Sequence, residues 1–187
     1  MTVDHQEKLR RFEHQVVRHL DSAFNLARWF TRNDDDARDL VQEAALRAFK
    51  AFDGFKGEDG KVWLFVIVRN LFYTSVSRKA PEPAEFDEEI HSSGESSGNP
   101  EVLLFRDTET RLVRQAVEQL DAEFREALVL REFEGLSYRE IAAVTGSPLG
   151  TVMSRLARAR ERLRQSLAGY MKNKSGQKGG RNAVSGK

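Results

Sequence analysis

From Leu136 to Arg164 the chain reads L-S-Y-R-E-I-A-A-V-T-G-S-P-L-G-T-V-M-S-R-L-A-R-A-R-E-R-L-R. Ser137 and Glu140 have S-x-x-E spacing, in which the serine oxygen accepts an orphan backbone N–H at a helix start and the glutamate reaches back to the cap. A helix therefore starts near Ser137. Gly146 suits the left-handed position that closes it, Ser147 can cap the next helix, and Pro148 fits a first helical position where no N–H is needed. In that second helix Val152, Leu156, Ala159 and Leu163 form an apolar stripe, while Thr151, Ser154, Arg155, Arg158 and Arg162 gather on another side. Between Pro148 and Ala168 five arginines stand against one acid, Glu161, which makes that side attractive to phosphate. The pattern is a helix-turn-helix and points to double-stranded DNA. A merely soluble arginine-rich helix would not require the caps, the turn and the two faces to agree.

The rest of the chain sets the frame for this motif. Its 187 residues suit one domain or two small ones, and 40% hydrophobic with 32% charged residues is ordinary for a globular protein. There is no cysteine, which excludes disulfides and thiolate metal sites. The N-terminal M-T-V-D-H-Q-E-K lacks the apolar stretch of a signal peptide, and the run Val62–Val68 is too short to cross a bilayer, so a cytoplasmic protein is expected. The net charge of +1 conceals a segregation. From Ala80 to Phe105 there is no Lys or Arg, while Glu82, Glu85, Asp87, Glu88, Glu89, Glu95 and Glu101 are acidic. This Pro-, Ser- and Gly-rich stretch reads as a flexible acidic linker over 80–102. The end, 169–187, carries five basic residues and no acid, and reads as a disordered tail.

Ahead of the linker the pattern is helical. Phe12, Val16, Leu20, Ala23, Phe24 and Ala27 keep helix spacing and predict one amphipathic helix. Ala37, Leu40, Val41, Ala44, Ala48, Phe49 and Phe52, after an N-D-D-D start at Asn33, predict another. The segment Val62–Lys79 opens V-W-L-F-V-I-V, a composition open to a buried strand, and is read as helix. Beyond the linker, Leu103–Gln119 and Asp121–Phe133 are helical, the latter capped by Asp121 and ended at Gly135. The expected fold is all-α: two small helical domains, 1–79 and 103–168, joined by the linker.

Three stretches together resemble the sigma-70 family: D-A-R-D-L-V-Q-E-A-A-L-R-A-F-K-A-F-D-G-F, then W-L-F-V-I-V-R-N-L-F-Y, then the helix-turn-helix. Their order and short linker are similar to the extracytoplasmic-function subgroup, over roughly residues 10 to 168. The resemblance implies an alternative sigma factor that binds core RNA polymerase and directs promoter-specific initiation, in a stress or envelope response. It implies that Asp39, Gln42 and Glu43 dock on polymerase; without it, that flank reads as a solvated acidic face. By resemblance the next helices open the minus-10 element, with Asn70 where a base-reading asparagine belongs. Lys56, Lys61, Arg69, Arg78 and Lys79 are candidates to hold phosphates, and Trp63, Phe72 and Tyr73 are candidate walls for an unstacked base. The subgroup often has aspartate four residues after that asparagine; this chain has Thr74. At minus-35, Arg158 is expected to read a base and Arg155 and Arg162 to hold phosphates, beside Thr151 and Ser154, with Arg139 adding a backbone contact. Met153 stands where relatives often have a basic residue. The two reading domains must sit two helical turns apart, roughly 68 Å, a gap that about twenty extended residues can span. Members of the family are commonly held by an anti-sigma protein, which the resemblance adds as a candidate partner.

His5, His14, His19 and His91 have no zinc-ligand spacing, and G-F-K-G-E-D-G-K at Gly54–Lys61 lacks both P-loop spacing and the following Ser/Thr. No metal, cofactor, catalytic group or small-molecule substrate is therefore expected. The alternative is a stand-alone helix-turn-helix regulator that binds an operator as a dimer, since one such motif reads only a short half-site.

Overall fold

The computed structural model describes residues 3–57, 59–79 and 106–179. Eight α-helices are found among them: α1 Val3–Gln15, α2 Leu20–Thr31, α3 Asp34–Ala51, α4 Gly60–Lys79, α5 Arg106–Glu118, α6 Ala122–Leu128, α7 Tyr138–Thr145 and α8 Leu149–Gly179. No strand occurs among the described residues, and the segment Val62–Lys79 is helix. The expected linker, 80–102, lies outside the described residues, as do the tail residues 180–187. No helix among the described residues is long and apolar enough to cross a membrane.

The described residues pack as two compact units. One comprises Met1–Ser97 with Val129–Leu149, the other Gly98–Leu128 with Gly150–Lys187. Residues 129–149, α7 among them, thus group with the N-terminal helices, because α7 packs along α4.

In the first unit α2, α3 and α4 pack on one another. Ala37, Ala44 and Ala48 of α3 are fully buried, and their small side chains let the backbones approach. Leu26 and Phe30 of α2 and Leu64, Phe65 and Val68 of α4 fill the space between. Phe12 of α1 meets the edges of Phe49 and Phe52 at centroid distances of 5.1 and 5.2 Å, a favoured aromatic arrangement. Asn33 caps α3 as expected, its side chain accepting from the N–H groups of Asp35 and Asp36. The helix predicted over Phe12–Ala27 is divided: α1 ends at Gln15, a single 3-10 turn spans Val17–His19, and α2 begins at Leu20. At the break a residue 45 positions along the chain comes close. Gly60, at the start of α4, comes so close to the Gln15 carbonyl that an added Cβ would lie 1.8 Å from its oxygen.

In the second unit Ala116 and Val117 of α5, Phe124 and Ala127 of α6, and Val152, Leu156 and Ala159 of α8 are buried. The apolar stripe read from α8 is therefore its packing face, with Leu163 half-buried at its end. The helix runs on to Gly179, past the expected end at Ala168. No proline intervenes, and Gly169 and Gly176 each cost only about 1 kcal/mol of helix propensity.

Between α6 and α7 the predicted helix Asp121–Phe133 changes character. Val129–Phe133 form a π-helical turn, and the chain then turns at Gly135, whose φ is +72°. The capping box at Ser137 is complete, with Glu140 Nα–H donating to the serine hydroxyl and Ser137 N–H donating to the Glu140 carboxylate at 2.5 Å. Gly146 closes α7 at φ +64°, in the left-handed region that glycine occupies without a steric penalty.

Candidate polymerase and nucleic-acid surfaces

The first surface is a flank of α3. With Ala37, Ala44 and Ala48 turned inward, the residues at i, i+3, i+4 and i+7 from Asp39 come outward together. Asp39, Gln42 and Glu43 are exposed, and Leu46 leaves half its surface in solvent. Glu43 pairs with Arg47 one turn on, at 2.6 Å. The flank offers acids and an amide around an exposed leucine, a composition suited to a protein partner.

The second surface is α4. At roughly 100° per residue, Trp63, Asn70 and Thr74 fall along one line of the helix, with Arg69 and Tyr73 along the adjoining one. Asn70 is exposed, and its carbonyl accepts from the Thr74 hydroxyl at 2.6 Å. Trp63 stacks on Phe55 at 4.6 Å, with Phe52 behind. Tyr73 has the Arg69 guanidinium over its ring at 4.6 Å and sits beside Phe72, which is stacked on Phe30. Both candidate base platforms thus have one ring face engaged and a backing of aromatics. Lys56 is exposed in the loop before α4, and Arg78 is exposed near its end. Lys79 closes the helix, its side chain outside the described residues. Lys61 is set apart from this group. It lies about half a turn from Asn70 and pairs with Glu134 at 3.0 Å.

The third surface is α8. Arg158 is exposed, and among the described residues no ion pair holds it. Its neighbours on the same side are tethered: Arg155 pairs with Glu123 at 2.7 Å, and Arg162 pairs with Asp121 while lying over the Phe124 ring at 4.6 Å. The Ser154 hydroxyl donates to the Thr151 carbonyl, and Thr151 is half-buried. Arg139 is exposed on α7, in the first unit. The acids that hold Arg155 and Arg162 escape a reading of the sequence, which identifies Asp121 only as a helix cap.

Two titrating groups in the first unit are perturbed. The Ser137 hydrogen bonds hold the Glu140 carboxyl below the usual range, with smaller help from Asp59 and Lys61. Burial lowers the His19 imidazole, reinforced by Arg18 and Lys61 and opposed by Asp59. No cluster of three or more His, Cys, Asp or Glu among the described residues is placed to hold a metal.

Comparison with known proteins bears on the chain as a whole. Residues 15–82 match the family described as Sigma-70 region 2, and residues 110–163 match Sigma-70, region 4. The chain is 36% identical over 168 residues to the RNA polymerase sigma-H factor of Pseudomonas aeruginosa, covering 84% of this chain and 86% of that one. It is 35% identical over 161 residues to the ECF RNA polymerase sigma-E factor of Escherichia coli K12, covering 81% and 84%. Among solved structures, the sigma factor RpoE in complex with the anti-sigma factor NepR from Bartonella quintana aligns with a TM-score of 0.65 and 28% identity, over 85% of this chain and 98% of that one. CnrH in complex with the cytosolic domain of CnrY aligns at 0.60 and 27%, over 86% and 90%. A region 2 match ahead of the helix-turn-helix disfavours a stand-alone operator-binding regulator. With both regions matched in order and relatives similar along most of their length, the chain belongs to the sigma-70 family as an ECF-type RNA polymerase sigma factor.

Proposed function

We propose that this sigma factor directs promoter-specific initiation through the three surfaces in chain order. Asp39, Gln42 and Glu43 on α3 dock on core RNA polymerase around Leu46. Asn70 receives an unstacked base of the minus-10 element, with Trp63 and Tyr73 as its walls, while Lys56, Arg69, Arg78 and Lys79 hold the strand's phosphates; Lys61, about half a turn away and paired with Glu134, is left out of this group. Arg158 reads a minus-35 base pair in the major groove, flanked by Thr151 and Ser154, and Arg139, Arg155 and Arg162 serve the backbone. Residues 1–79 and 103–168 act as the two reading parts, with 80–102 as the tether. The RpoE and CnrH structures pair those proteins with NepR and with the cytosolic domain of CnrY, which supports an anti-sigma protein as a regulator here too. The role is cytoplasmic and non-enzymatic, without cofactor or small-molecule substrate.

The observation that carries this reading is the order of the matches, region 2 at 15–82 and then region 4 at 110–163. A regulator that binds DNA alone has no use for a polymerase-docking helix. Run-off transcription with core polymerase tests it: defined transcripts should appear only when this chain is added. If core enzyme neither co-migrates with the chain nor gains promoter-specific activity, the reading is wrong.

A further inference from the structure

Among the described residues from Gly150 onward, Met153 is the one large apolar side chain that α8 exposes, with 52% of its surface in solvent. At about 100° per residue, Gly150, Ser154 and Ala157 form a strip of small residues down the outer side of the helix, and all three are exposed. Met153 borders that strip on one side and Arg158 on the other. Nothing lies within 4 Å of where a Gly150 Cβ would stand, and the Ser154 hydroxyl is turned back onto the Thr151 carbonyl at 2.9 Å. The middle of this face is therefore shallow, with a long apolar and a long charged side chain at its edges.

A shallow face lets the helix come close to base edges in the major groove, and what each bordering side chain can meet there follows from its chemistry. The Arg158 guanidinium offers paired donors, which guanine O6 and N7 accept. Met153 has no charge for a phosphate, and its thioether is only a weak acceptor. Its apolar surface is stabilised by being covered, and the one apolar group that base pairs present in the major groove is the C5-methyl of thymine. The flexible, unbranched methionine chain adapts readily to such a contact. The other flank of α8 offers no equivalent, since Arg155 and Arg162 lie there, paired with Glu123 and Asp121.

We infer that Met153 is a specificity-determining residue of the minus-35 surface: it covers the C5-methyl group of a thymine and so selects T·A at one position of that element. This rests on the proposed minus-35 role of α8. Met153 and Arg158 lie five residues apart, about 7.5 Å along the helix axis, so they serve different base pairs and are separable by mutation. Because Met153 is exposed, its replacement by alanine, the best helix former, leaves the fold alone.

In the experiment the full chain, alone and bound to core polymerase, selects duplexes from a pool randomised over the minus-35 element. In the tightest duplex each thymine is then replaced singly by deoxyuridine, which keeps every hydrogen-bonding group and lacks only the methyl. For the wild-type chain one such replacement should weaken binding about fourfold, the worth of one methyl group taken out of water. Met153→Ala should bind the thymine duplex about fourfold more weakly and the deoxyuridine duplex as wild type does, so that discrimination at that position disappears. Met153→Leu should keep most of the discrimination, Arg158→Ala should leave it in place, and far-UV circular dichroism should be the same for all the variants. The inference is overturned if no deoxyuridine replacement separates wild type from Met153→Ala, or if Met153→Ala weakens every duplex alike, as a contact with polymerase would. It is overturned equally if neither arm enriches any sequence. Enrichment by the chain alone with no gain from polymerase refutes the sigma reading, while the deoxyuridine series still decides Met153.

Discussion

The flank of α3 and the basic side of α8 are both offered to large partners, yet they are prepared in opposite ways. Along the Asp39–Leu46 flank of α3 the polar groups stand clear, and Glu43 pairs within the helix, with Arg47 at 2.6 Å. On α8 the arginines are drawn to acids contributed by residues before and within α6, Arg155 to Glu123 and Arg162 to Asp121. A partner meeting α3 displaces mostly water. DNA meeting α8 must trade carboxylates for phosphates at two positions and finds Arg158 already available at a third. Such intramolecular pairs hold long side chains in an extended pose at little net cost, since half-exposed ion pairs contribute only about 0 to 1 kcal/mol. On the proposed reading, the arrangement separates residues that attract the backbone from the residue that reads.

The α3 flank is held in place only while the first unit is rigid, and Gly60 is where that rigidity is most easily lost. Gly60→Ala drives a methyl into the Gln15 carbonyl and should destabilise the first unit by about 3 kcal/mol, the upper range for overpacking, measured by urea unfolding. Next in size, Arg158→Ala should cost about 1 to 3 kcal/mol and relax choice at a single minus-35 position. Arg162→Ala should weaken all sequences alike and reduce the salt slope by about one. Titrations on single-base minus-35 variants at several salt concentrations distinguish the two, and a uniform loss for Arg158→Ala would make it another phosphate contact. On α3, the paired change Gln42→Ala and Glu43→Ala should weaken the polymerase complex by about 1 to 2 kcal/mol while leaving helix content intact, because alanine is the best helix former; competition binding against the unmodified chain measures it. Asp121→Asn with Glu123→Gln should tighten duplex binding by under about 1 kcal/mol per pair, and weaker binding would mean that the acids orient the arginines rather than compete for them.

The smallest effect is the response to acid, and it is confined to the first unit. His19 and Glu140 both have folded values lowered from the ordinary ones. Each therefore contributes stability that is present above its unfolded value and is lost as pH falls through the folded one. Stability of the first unit should decline below the ordinary imidazole range as His19 charges beside Arg18 and Lys61, and again below the ordinary glutamate range as the capping box loses its anion. Denaturant midpoints from neutral to mildly acidic pH should be flatter for His19→Asn in the upper window and for Glu140→Gln in the lower.

What the sequence discloses follows from the reach of each interaction. The Asn33 cap, the Ser137–Glu140 box and the Gly146 stop involve neighbours within three or four residues, so their spacing is their geometry. The family resemblance rests on the same kind of local pattern, and it extends to exposed Asn70 and Gln42. By contrast, the close approach of Gly60 to the break between α1 and α2 is long-range, and no spacing around Val16 reports it. The pairing of Lys61 with Glu134 spans 73 positions and that of Arg162 with Asp121 spans 41. The α4 segment is difficult for another reason. V-W-L-F-V-I-V is apolar all round, so periodicity cannot separate helix from strand there, and only packing on three sides by α2, α3 and α7 settles it.

The π-helical turn at Val129–Phe133 holds one residue more than an α-helical turn would need. Insertion of a residue into a helix is how such turns arise, and each residue advances the helix by about 100°. Loss of any one residue from this turn would thus act as a rotation instead of a gap. Everything downstream would swing by nearly a third of a circle, taking Glu134 off Lys61 and the Leu136 carbonyl off Arg131, which now holds it at 2.8 Å. In this chain a single-codon deletion is equivalent to turning a key.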